Sequence, residues 1–80
     1  MLTSKATRNQ KAIEKVAVFV MKGTALVERG EYWPNGAGLS IAIEDEDLRA
    51  QVEAGVRFLL AEPAAISANL ECGWEVALLR

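Results

Sequence analysis

The sequence predicts a small α+β domain, a mostly antiparallel sheet of four to five strands packed against one main α-helix in the order β-β-β-α-β(-β). Three observations carry this. Residues 44–61 place Leu48, Val52, Val56 and Leu59 at i, i+4, i+8 and i+11, an apolar stripe along one side of a helix. Residues 16–21 form an unbroken apolar run with three valines and a phenylalanine, the composition of a buried strand. From Ile66 to Leu78 apolar and polar or small residues alternate with period two, the mark of a strand with one dry and one wet face.

The first fifteen residues read as a basic arm or a short helix, with residues 16–80 as one domain. Thr3 or Ser4 can cap such a helix, and Lys5, Arg8, Lys11 and Lys15 then share one face at spacings of three and four. Continuing it to Gly23 would set Val18 among Lys11, Lys15 and Lys22, so a strand over 16–21 is the better reading. A tight turn at Lys22 and Gly23 would lead into a second strand over 24–31, with Met21 opposite Thr24 and Phe19 opposite Leu26. Gly30 in that strand suggests a bulge or a fraying end.

Residues 32–38, with Pro34 and the Asn35-Gly36 pair, carry the strongest turn signal in the chain. A third strand over 39–43 follows, with Leu39, Ile41 and Ile43 on one face. The helix then runs over about 46–61, its acids crowding the start where the helix dipole favours negative charge. Pro63 lies just beyond its end and discourages continuation. Beyond Pro63, residues 66–79 are either one long bent strand or a hairpin with a three-residue loop at Glu71, Cys72 and Gly73. Both fit the alternation, which only Leu79 breaks. The expected contact sets Leu48, Val52, Val56 and Leu59 against Phe19, Leu26, Ile41, Ile43 and Trp74.

Composition bounds the function. Eighty residues allow one core, and 51% hydrophobic with 25% charged residues suits a globular chain. A single cysteine permits no internal disulfide and fits a cytoplasmic setting. No apolar run is long enough to cross a membrane as a helix, and the start lacks a signal-peptide profile. The net charge of −2 divides unevenly. Residues 1–22 hold five cations against Glu14, whereas residues 23–80 hold four arginines against ten acids.

Chemistry-bearing motifs are scarce. Without histidine there is no imidazole catalysis and no histidine metal ligand, and no phosphate-binding loop, nucleophile elbow or CxxC pair occurs. The sequence therefore assigns no catalytic, cofactor-binding or metal-binding residue. Cys72, on the apolar alternation, reads as a buried inert thiol, and Trp74 as core. A carboxylate enzyme would have to draw on Glu28 or Glu31 with Glu75, and no spacing selects a pair.

Two features invite a partner. Tyr32 and Trp33 stand at the foot of a turn, where aromatics act as binding anchors if exposed. Glu44, Asp45, Glu46 and Asp47 form a helix start that can also meet a basic partner. The resulting expectation is a non-catalytic protein-binding module, an inhibitor or regulator of a larger complex with basic surface, such as a nucleic-acid-handling machine. Mobile elements such as phages carry proteins of this kind. A weak nucleic-acid binder using the basic arm is the alternative, and an unpaired strand invites a homodimer through a sheet edge.

Overall fold

The computed structural model describes residues 15–79. The expected arm, with Lys5, Arg8 and Lys11, lies outside them, and Lys15 is its one described residue. Five strands and one helix follow in the order expected: β1 (Val16–Lys22), β2 (Ala25–Trp33), β3 (Gly38–Ser40), α1 (Glu46–Ala61), β4 (Ser67–Asn69) and β5 (Glu75–Leu79). The strands make one sheet in the spatial order β3-β2-β1-β5-β4, with every neighbouring pair antiparallel.

Helix α1 has the predicted bounds and the predicted buried stripe. Val52, Val56 and Leu59 are fully or almost fully buried, and Leu48 packs partly buried against them. Asp45 is the N-cap, its Oδ1 accepting from the Leu48 N–H at 3.2 Å. At the other end the Glu62 N–H donates to the Phe58 carbonyl before Pro63 intervenes. Gly55 is buried midway along, where the helix crosses β4 and β5.

The helix meets the other parity of β1 from the one expected. Val18 and Val20 are fully buried beneath it, so Phe19 points to the opposite face, and Leu26 is 54% exposed. Six consecutive apolar residues do not specify which alternate set faces inward. The neighbouring strands decide it: Val18 pairs with Leu78, and Val20 with Val76, on the face where Leu70 and Tyr32 complete the core. Ile41, Ile43 and Trp74 do pack against that core as expected.

The first hairpin is displaced by one residue from its predicted register. Lys22 pairs with Ala25, leaving Gly23 and Thr24 as the loop, and Gly23 has φ +62°. A glycine at positive φ in the first loop position suits a type II′ turn, whose twist matches the strands. Met21 therefore faces Leu26, and Phe19 faces Arg29. The bulge falls at Val27, where the register shifts between Val20 and Met21.

Gly30 lies in register opposite Val18 and serves a different need. A Cβ there would collide with the Ser40 carbonyl oxygen and stand 2.7 Å from Ile41 Cβ. Gly30 thus lets the chain cross over the sheet on its way to the helix. That crossing ends β3 at Ser40, short of the expected Ile43, with an Ile43 N–H to Ile41 carbonyl bond of 2.9 Å turning the chain.

Residues 66–79 are a hairpin. The Gly73 N–H donates to the Leu70 carbonyl at 3.0 Å, the Leu70 N–H donates to the Trp74 carbonyl at 2.8 Å, and Gly73 takes φ +92°. This three-residue loop with a glycine in the left-handed region returns Trp74 to the face of Leu70. It also lifts Cys72 to the tip, where the thiol is exposed, against the expected burial.

Candidate interaction surface

One face of the sheet is covered by α1, and no described element covers the other. Strand register places Ala17, Phe19 and Met21 of β1 there, beside Leu26, Arg29, Glu31 and Trp33 of β2 and Glu75, Ala77 and Leu79 of β5. Leu79 is 63% exposed, and Phe19, Met21 and Trp33 are half-buried. The result is an apolar stripe along β1 with charge at its margins.

Each large aromatic on this face lies under a cation. The Lys15 ammonium sits 5.5 Å from the Trp33 ring centroid and also binds Glu31 Oε2 at 2.9 Å. The Arg29 guanidinium sits 5.6 Å from the Phe19 centroid. Cation–π pairs at exposed sites stabilise by about 0.5–1 kcal/mol, enough to orient these side chains without removing them from solvent.

Tyr32 and Trp33 do not form the exposed aromatic pair expected. Both belong to β2, not to the turn, and adjacent strand residues point to opposite faces. Tyr32 is 8% exposed in the core, and only Trp33 remains at the surface. The Tyr32 hydroxyl, followed by Glu53, pushes the Arg57 guanidinium pKa upward. Arg57 Nη2 meets Glu53 Oε2 at 3.1 Å across one helical turn.

Glu44, Glu46 and Asp47 are exposed at the start of α1, while Asp45 is occupied as its cap. These acids belong to the helical layer, whereas Trp33 lies on the uncovered face. The composite site of acids and aromatics is therefore split by the sheet. Glu28 shares the helix-side face of Val20, while Glu31 and Glu75 lie on the other. Glu31 is bound to Lys15, and Glu75 Oε2 accepts from Ser67 Oγ at 3.2 Å. The carboxylates proposed for acid–base work do not converge. Among the described residues no three acidic or thiol groups cluster as a metal would require, and no helix is long and apolar enough to cross a membrane.

The sequence points Phe19 and Leu26 inward and leaves Met21 unassigned, whereas the strand register sets all three on the uncovered face. One signal pointed to this face: Leu79, the residue out of step with the alternation of its strand. An open groove of about 540 Å³ lies between α1 and the edge strand β4. No protein-family model, curated protein or solved structure matches the chain.

Proposed function

We propose that the protein is a non-catalytic protein-binding module of the cytoplasm that inhibits or regulates a larger assembly by docking the uncovered face of its sheet. The observation that carries this reading is the one-sided sheet itself. Phe19, Met21, Leu26, Trp33 and Leu79 stand on a face that no described element covers. Contiguous exposed apolar surface rimmed by charge is the usual character of a protein-binding patch, and a tryptophan within it is a favoured anchor.

The acids at the start of α1 take a secondary part in this reading. Glu44, Glu46 and Asp47 set the sign of the field that an approaching basic partner meets, which mainly speeds association. A nucleic-acid-handling assembly, rich in basic surface, suits that field.

A second reading is favoured by one observation, the stacking of Lys15 and Arg29 on aromatic rings of the same face. Exposed aromatics beside cations can stack unpaired bases, and the basic arm enters the sheet at Lys15. Glu31 and Glu75 on this face oppose it, so binding would be weak and would fall steeply with salt.

The deciding experiment is affinity capture from lysate of the source cells. Parent and a Leu26→Asp/Leu79→Asp variant serve as baits, each first checked for folding, with and without nuclease. Proteins retained by the parent, lost by the variant and insensitive to nuclease support the first reading. Retention that nuclease abolishes supports the second. Equal retention by both baits that survives nuclease contradicts both.

A further inference from the structure

The two edges of the sheet are finished differently. At β3, Arg49 reaches from the helix to donate to the carbonyls of Ile41 and Leu39, at 2.7 and 3.3 Å. At β4, Gln51 Oε1 similarly accepts from the Glu71 N–H at 3.0 Å. Among the described residues, the next groups along that edge receive no such cover. The Leu70 N–H is turned inward to Trp74, so antiparallel alternation turns Ala68 inward too and leaves the N–H and C=O of Ser67 and Asn69 facing outward.

Beside this edge lies the groove, floored by Gly55, Ala68 and Leu70 and walled on the helix side by Ala54 and Phe58. Phe58 is 50% exposed, and nearby Ile66 is 87% exposed, more than Leu26, Val27 or Leu79. Edge strands are commonly protected by an inward lysine, a proline or a charge. Residues 66–70 contain none of these.

We infer that β4 pairs antiparallel with β4 of a second copy of this chain, about a two-fold axis at Ala68. This goes beyond the docking face, because it uses the sheet edge instead. The register follows from which groups face outward. Ser67 falls opposite Asn69 of the second copy, and the two such pairs exchange four N–H···O=C bonds, leaving no outward group of either residue unmatched. The same register sets Ile66 opposite Leu70 of the second copy, over its groove, where opposed side chains lie about 4.5–5.5 Å apart. Ala68 meets Ala68 at the axis, small enough for the helices to approach with their Phe58 rings.

Self-complementarity selects a second copy over an unrelated peptide. The exposed Ile66 side chain and the groove that suits it are two residues from the axis in opposite directions, as an isologous contact requires. Ser67 and Asn69 meet on the other face, where polar side chains can stay wet. The two sheets then continue as ten strands, which places the two uncovered faces side by side. The contact is smaller than a standard interface, so monomer and dimer exchange with concentration.

Sedimentation equilibrium of the full chain, from about 10 μM to about 1 mM, is the test. The weight-average mass of the parent should rise from 8.7 kDa toward twice that value. Ile66→Lys changes a side chain already in solvent, and should stay at the monomer mass throughout while keeping the parent's circular dichroism. Leu79→Asp, on the uncovered face, should dimerise as the parent does. A parent that stays monomeric at every concentration overturns the pairing and leaves the docking-face reading standing. Dimerisation of Ile66→Lys equal to the parent's also overturns it. Loss of the dimer in Leu79→Asp alone would assign it to the open face instead.

Discussion

Arg49 and Ile41 are joined by a 2.7 Å bond from Arg49 Nη1 to the Ile41 carbonyl, and this contact fixes how the chain passes from sheet to helix. The same guanidinium holds Leu39 at 3.3 Å, so one side chain closes the outer edge of β3 and anchors the crossing segment above Gly30. Arg49→Lys replaces a planar fork by a single ammonium that cannot serve both carbonyls in the same geometry. It should destabilise by about 1 kcal/mol, and Arg49→Ala by about 1–3 kcal/mol, in urea unfolding. Faster amide exchange should follow over residues 38–43.

Two glycines invite opposite outcomes from the same substitution. At Gly30 an added methyl would strike the Ser40 carbonyl and Ile41, so Gly30→Ala should destabilise by about 1–3 kcal/mol through overpacking. At Gly55 the methyl would stand 3.5–3.6 Å from Leu70, Ala68 and Val76, ordinary contact distance. Gly55→Ala should stabilise by about 0.5–1 kcal/mol, because alanine costs the helix less backbone entropy. Thermal melts of both variants, run side by side, check the pair.

Val56 is fully buried where α1 crosses the sheet, and Val56→Asp would place a carboxylate there without a partner. The loss should be on the order of 3–5 kcal/mol, which is most of the stability of so small a domain. Phe19→Ser, on the uncovered face, should cost far less despite removing a larger side chain. Circular dichroism at 25 °C should show the first unfolded and the second folded. The reverse order would mean that the helix lies on the other side of the sheet.

Much of this architecture was legible in the sequence, and the failures share a cause. Helix α1 could be read because Leu48, Val52, Val56 and Leu59 recur at helical spacing and Asp45 supplies a cap at the right offset. The β4–β5 hairpin could be read as strand because its alternation holds, although a three-residue loop preserves parity and conceals the turn. The facing of β1 could not be read, since 16–21 is apolar at every position and either parity offers hydrophobic residues to the helix. That single ambiguity misplaced Phe19 and Leu26, and with them the face now proposed for docking. Tyr32 and Trp33 part to opposite faces because β2 extends two residues further than the sequence predicts, and one register step sends neighbours to opposite sides of the sheet. Gly30 is explained by a contact ten residues distant in sequence, which no local pattern encodes.

The acids at the helix start and the aromatic on the open face should contribute differently to binding. Glu44→Lys/Glu46→Lys removes field without removing contact area, so it should slow association and flatten its salt dependence while dissociation stays near the parent rate. Asp45 should be left in place, since Asp45→Ala would cost about 1 kcal/mol of helix stability by loss of the cap. Stopped-flow or surface-based association rates at two ionic strengths check this.

The docking face is tested most directly by dissociation kinetics on the captured partner, comparing the parent with Trp33→Ala and with Leu26→Asp/Leu79→Asp. Truncating a desolvated aromatic anchor costs about 2 kcal/mol or more, so Trp33→Ala should dissociate roughly 30-fold faster with its fold intact. The double aspartate variant, which charges the rim of the same stripe, should bind more weakly still. Parent-like dissociation of both variants, each with a parent-like melt, would contradict the claim that this protein acts through the uncovered face of its sheet.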